Sequence, residues 1–352
     1  MLINSSSWKF LVLMVISVMI LFLLFLLNLF WGSVSIDFSE VFSIIAGKSS
    51  AVSSAKVIIV EQVRYPQALT AAFSGAGLAI AGLLMQTLFR NPLADPSILG
   101  ISSGASLGVA LLLLSTGAVS GHAFSTLGWM SHIGIVLAAF TGSMTVLFFI
   151  TLLSKRLNNM VTLLIAGIMI AYVAGALVGV IKYFSHKEDV HAFVIWGLGS
   201  FSNVSRSQVP YFVAYVSVGL IVSLVLMKPL NLLLLGEKYA QNLGLNVKMN
   251  QVVLLVVSGF LTAVITAFSG PIAFLGLAVP HLARNIFRSS DHKILIPASI
   301  VTGASLALFC NLIARLPGFD GNLPINSVTS LIGAPIVVWV ILKRQHLYTG
   351  TS

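Results

Sequence analysis

Long apolar stretches alternate with short polar punctuation along this chain. Phe10–Phe30 is an almost unbroken apolar run behind Trp8 and Lys9. At 1.5 Å per residue it is long enough to cross about 30 Å of hydrocarbon. It exceeds a signal-peptide core, and no A-x-A-like site follows, so it is predicted to be a retained first helix. A more polar segment, Gly32–Glu61, comes next. A second apolar run ends before Arg90. Further spans are predicted at Ile98–Leu114, Ile133–Leu153, Val161–Ile181, Tyr211–Met227, Val252–Phe268, Ile272–Ile286, Ile294–Ala314 and Ile325–Leu342. That makes ten. The eighth is short and interrupted by Pro280, a pattern tolerated only where protein or an aqueous cavity satisfies the freed backbone groups.

Arg64–Ser106 organises the rest. Its first run is dense in small residues (Gly75, Gly77, Ala79, Ala81, Gly82), which let helix backbones approach closely in a membrane. The run ends in RNPLADP. Asn91-Pro92 and Asp95-Pro96 are both turn-then-helix signals, a capping side chain followed by Pro at the first helical position. The stretch is predicted to be two tightly packed helices joined by a short elbow. A second ladder, Gly167, Ala171, Gly175 and Gly179, repeats every four residues and predicts another helix–helix contact. The Ala-Phe-Ser-Gly sequence at 72–75 recurs at 267–270, a loose echo that a Gly/Ala-rich alphabet also produces by chance.

Composition sharpens this pattern. The 352 residues are 58% hydrophobic and 8% charged, against about 25% charged in soluble domains. The chain is therefore expected to be an all-α, polytopic membrane protein, with residues 1–352 forming one transmembrane domain. The net charge of +10 is distributed as topology. With the N-terminus inside, twelve of the 19 Lys and Arg residues fall on the cytoplasmic side, so both termini are expected there. No basic stripe interleaved with aromatics suggests nucleic acid as a partner. The single cysteine, Cys310, lies in an apolar run and excludes an intrachain disulfide.

The chemistry is sparse. Gly47-Lys48-Ser49 lacks the upstream glycine of a phosphate loop, where Phe42 stands instead. The nine acidic residues all fall in loops or at span edges, which argues against an ion-coupled secondary transporter. No paired acids, Ser-His pair or zinc-ligating histidines lie within the spans, so an intramembrane enzyme is disfavoured. His186 and His191 are five apart, unlike a helical metal pair. His122, His132, His281 and His292 are isolated. Leu230–Gln251 interleaves leucines and Tyr239 with Glu237, Lys238, Gln241, Asn242 and Asn246, and is cut by Gly236 and Gly244. It is either a solvated loop or a pair of short amphipathic helices that dock on a partner. Arg64 and Arg315 stand at span ends on the outer side, where interfacial arginines commonly snorkel.

Several motifs, in order, resemble the FecCD-type permeases, the membrane subunits of ABC importers for ferric siderophores, haem and cobalamin. They are VRYPQ (Val63–Gln67), GAGLAIAGLLMQ (Gly75–Gln86), RNPLADP with its following LG (Arg90–Gly100), Leu235–Gly244, GPIAFLGLAVPHLAR (Gly270–Arg284) and LPINSVTSLIGAP (Leu323–Pro335). The resemblance implies a type II ABC importer permease with no bound cofactor, in a bacterial inner membrane. It further implies a second permease subunit in membrane lipid, forming a homodimer or a close heterodimer. Two separate ATPase subunits and an extracytoplasmic substrate-binding protein complete the expected assembly. Arg64 and Arg315 match arginines that receive glutamates of the binding protein. Gln67 departs from the common RxPR pattern and removes one charge from that site. Glu237, Ala240, Leu243 and Gly244 match the element that couples to the ATPase. The cargo expected is an iron chelate, a ferric siderophore first, with haem or cobalamin as alternatives.

Overall fold

The computed structural model describes residues 5–32, 34–47, 53–120, 129–157, 159–315 and 322–349. Among the described residues every regular element is helical. The N-terminal part comprises α1 (Ser5–Phe30), α2 (Phe38–Ile45), α3 (Ser54–Ile58) and α4 (Tyr65–Leu88). It continues with α5 (Ile101–Ser120), α6 (Trp129–Arg156), α7 (Met160–Tyr183) and α8 (Lys187–Gly197). Then come α9 (Val209–Val225), α10 (Met227–Leu234), α11 (Glu237–Asn242), α12 (Val247–Ser269), α13 (Leu275–Phe287), α14 (His292–Ala314) and α15 (Ile325–Thr349). Among the described residues six stretches are long and apolar enough to cross a membrane unaided, and α9 with α10 makes a seventh that bends by 52°. The shorter apolar segments in α5 and α15, with the 13-residue α13, bring the plausible spans to the ten expected.

The chain packs as two compact units. The first is Met1–Ile80, Phe201–Ser217 and Ala273–Ser352; the second is Ala81–Ser200 and Val218–Ile272. In the first unit α14 packs on α1, α13 and α15. A close crossing joins α4 to α14 at Gly75 and Gly303. A Cβ on Gly75 would strike the carbonyl of Gly303, and one on Gly303 would come within 2.7 Å of the Ala79 Cβ. Only glycine allows backbones that close, and in lipid such contact is itself a main source of helix association. The polar segment after α1 is not one loop. Asp37 and Glu40 form a capping box that starts α2. Lys56 bridges to Glu40 at 2.7 Å and, with the Asp37 N–H, holds that carboxyl below its ordinary range. From Ser54 the chain is continuously helical into α4, through a π-helical turn at Ile59–Arg64.

In the second unit α5 lies against α6, α7, α8 and α12. Gly104 and Gly108 face Gly142 and Ala138, again with no room for a Cβ. The elbow differs in detail from expectation. Asp95-Pro96 does start a helix, but a single 3₁₀ turn, Pro96–Leu99, with the Asp95 carboxylate accepting from the Ser97 N–H at 2.9 Å. Gly100, at φ 80°, turns the chain left-handed before α5 begins. Asn91-Pro92 starts no helix. The Asn91 side chain accepts from the Leu93 N–H at 2.9 Å and closes a turn, because an Asx side chain stabilises turns as well as helix starts. The ladder on α7 is used over half its length. Gly167 and Ala171 seat Leu99 and Gly100, whereas Gly175 and Gly179 meet nothing within 4 Å. The echoed Ala-Phe-Ser-Gly segments are not equivalent: Gly75 lies inside α4, while Gly270, at φ 75°, ends α12.

Candidate functional site

Each unit carries one group of the residues singled out by sequence. In the first unit Arg64 and Arg315 come together, but not as exposed snorkelling side chains. Arg64 is 1% exposed and Arg315 8%. Arg64 Nη1 donates to the carbonyls of Leu29 and Phe30 at 2.9 and 2.8 Å, and Nη2 donates to that of Val34. Arg315 Nη1 donates to the carbonyl of Asn28 at 3.3 Å. The last carbonyls of a helix lack intrahelical donors, and a cation suits the negative end of its dipole. The pair therefore caps α1. Both guanidiniums crowd the place where a Cβ of Gly32 would sit. Neither has a carboxylate partner among the described residues. Burial, with Arg64 alongside, draws the Arg315 side chain down to about 10, which leaves it charged at neutral pH.

Gln67 extends this cluster inward. Its amide donates to Asn311 Oδ1 at 3.1 Å, Asn311 donates to Asn28 Oδ1 at 2.7 Å, and Asn28 donates to the Leu308 carbonyl at 3.1 Å. All three side chains are buried. The chain of amides joins α1, α4 and α14, at about 0.6 kcal/mol for a typical interhelical bond of this kind in a membrane. An exposed cation of this unit, Arg206, pairs with Glu61. That pair stands at the rim of a cavity of about 260 Å³ lined also by Leu29, Ile44, Val60 and Tyr65. No motif marks Arg206, because its partner lies 145 positions away.

In the second unit Leu230–Gln251 is neither a loop nor a single helix. Gly236 at φ 115° separates α10 from α11, and Gly244 at φ 85° separates α11 from α12. Both angles are readily reached by glycine alone. Leu234, Leu235, Tyr239 and Leu243 are exposed. Of the four residues predicted to couple, Leu243 and Gly244 lie at the surface. Glu237 is half-buried and accepts weakly from Gln251 at 3.4 Å. Ala240 is fully buried, so it supports α11 from beneath. The Arg90 guanidinium reaches the Leu233 carbonyl at 3.5 Å, tying the elbow to α10.

Asp189, one of the acids expected in loops or at span edges, lies outside the predicted spans in the first turn of α8, where it is 2% exposed. Its Oδ2 has no hydrogen-bond partner among the described residues. Gln86 is buried and makes a polar interaction. His281 and His292 are buried, and His186 stands at the N-cap of α8. Lys48, Ser49 and His122 fall outside the described residues, as does the side chain of His132.

Comparison with known proteins gives this geometry a family. The chain is 37% identical over 289 residues to the hemin transport system permease protein HmuU of Yersinia pestis, covering 82% of this chain and 84% of that one. It is 36% identical over 289 residues to the vitamin B12 import system permease protein BtuC of Klebsiella pneumoniae, covering 82% and 83%. A solved structure of an ABC transporter described as metal-chelate type, in an inward-facing conformation, superposes with a TM-score of 0.80. It covers 94% of this chain and 98% of its own, at 28% identity. The profile of the FecCD transport family matches residues 20–343. The chain belongs to the FecCD transport family: it is a membrane permease of an ABC importer of the metal-chelate type, with ATP hydrolysis left to a separate subunit.

Proposed function

We propose that this permease forms, with a second copy of itself, the translocation pathway for an iron chelate, most specifically a ferric siderophore. Both termini face the cytoplasm. Two ATPase subunits engage the surface of α10 and α11, and an extracytoplasmic binding protein delivers the cargo. The observation that carries this reading is the glycine-hinged pair α10–α11. Its exposed Leu235, Tyr239 and Leu243 form an apolar face in a polar setting, the kind of surface that a groove on a partner buries. Glu237 anchors it to α12 through Gln251, so a push on α11 is transmitted to a long helix. Docking of the binding protein is assigned to Arg64, Arg315 and Gln67. Two buried guanidiniums without a carboxylate among the described residues suit an acidic partner, and a carboxylate arriving beside Gly32 would complete their charge balance.

The relatives named above are described as importing haem and vitamin B12, so cargo is the point to test. Uptake of labelled ferric siderophore, haem and cobalamin by the reconstituted complex separates the three. The reading expects ATP-dependent uptake of the siderophore in preference to the other two. Preferential uptake of haem or cobalamin would reassign the cargo while keeping the mechanism. Uphill transport by the permease alone, without ATPase subunits, would overturn both.

A further inference from the structure

A cavity of about 640 Å³ opens in the first unit where the start of α1 meets the end of α13. It belongs to neither candidate site above. Tilted ring contact between Phe10 and Phe287, with centroids 5.9 Å apart, brings the two helices together. Lys9 and Arg288 both line the cavity and both are exposed. Neither forms an ion pair among the described residues. Arg288 sits in a left-handed C-cap at φ 48°, which turns the chain out of α13 at the cavity wall. Apart from Ser289 the remaining lining is apolar, chiefly Trp8, Val12, Leu13, Ile286 and Ile294.

These features fit one kind of occupant. Two unpaired cations with an adjacent Ser289 hydroxyl suit a phosphodiester. A free anion would gain nothing from the apolar wall. Trp8, 59% exposed, is the residue type that settles at headgroup depth. From the cavity an exposed apolar strip (Leu11, Val15, Met19, Phe22) runs along α1, where acyl chains would lie. We propose that this cavity binds one anionic phospholipid, its phosphate held by Lys9 and Arg288 and its chains laid along α1. The shared cavity puts both cations in one leaflet; under the orientation proposed above, that is the inner one.

The test is binding rather than transport, so its outcome is independent of the cargo and the coupling. The full-length permease in detergent is titrated with phosphatidylglycerol or phosphatidylcholine, and bound lipid is counted by native mass spectrometry. The expected result is one phosphatidylglycerol retained in preference to phosphatidylcholine. Lys9→Gln with Arg288→Gln should weaken it about tenfold or more, at about 1 kcal/mol for each basic residue near a lipid headgroup. Lys9→Arg with Arg288→Lys should retain it. Both side chains are exposed, so the variants should elute and melt as the parent does. Equal retention by the double Gln variant, or equal binding of phosphatidylcholine, would overturn the proposal. Displacement by millimolar inorganic phosphate would also overturn it, by assigning the cations to a free anion.

Discussion

Arg64 is the residue whose environment differs most from its sequence context. A cation at a span end suggests an exposed anchor, yet here the Leu29 and Phe30 carbonyls at the end of α1, with that of Val34 beyond it, take up its Nη donors. Removing it would leave those carbonyls unpaired, at about 1 kcal/mol for each net hydrogen bond. Arg64→Ala is therefore expected to lower stability by about 3 kcal/mol in detergent. Arg64→Lys should recover part of the loss. A melting temperature equal to the parent's would show that the cap carries no weight. Glu237 and Gly244 are open to a cleaner test because neither is packed in a core. Glu237→Lys would repel the Lys238 side and lose the Gln251 contact. Gly244→Leu would force a side chain into a left-handed turn, a local strain of about 1–2 kcal/mol. Both should leave the permease folded and ATPase activity measurable while uptake falls severalfold. Uptake at the parental rate per ATP in both variants would remove the coupling role from α11.

Elements were legible to different degrees. The long apolar runs became helices close to their predicted bounds: Phe10–Phe30 lies within α1, and Val161–Ile181 within α7. A 20-residue apolar segment has few alternatives, since every backbone polar group must be satisfied internally. The short elements were not legible in this way. α2, α3 and the π-helical turn before α4 occupy a stretch that composition marks only as polar. The small-residue ladders were half informative. A glycine permits close approach, but whether anything approaches depends on the neighbour. Gly75 and Gly303 stand at a crossing, while Gly175 and Gly179 face open space. Gly75→Leu or Gly303→Leu should therefore cost about 1–3 kcal/mol or more by overpacking. Gly175→Leu and Gly179→Leu should melt within about 0.5 kcal/mol of the parent, as surface changes do. Equal losses from both pairs would mean that the α4–α14 crossing is not specially tight.

At the scale of the whole molecule, the driving force is what separates the family's mechanism from the rival class. An ion-coupled transporter needs an ionisable group in its pathway, and among the described residues Asp189 is the buried acid that could be asked to serve. Asp189→Asn in the reconstituted complex is expected to keep ATP-driven uptake unchanged and indifferent to a proton gradient. Loss of a gradient-dependent component would favour the secondary-transport reading. What the sequence by itself determined was the class: apolar run length, low charge and ordered motifs suffice because a bilayer leaves so few folds open. The tertiary structure alone decided which marked residues meet. Arg64 and Arg315 close on one Gly32, Ala240 turns inward while Leu243 turns out, and Lys9 shares a cavity with Arg288. Each of those outcomes depends on helix rotation and on contacts between segments far apart in the chain, and hydropathy is blind to both.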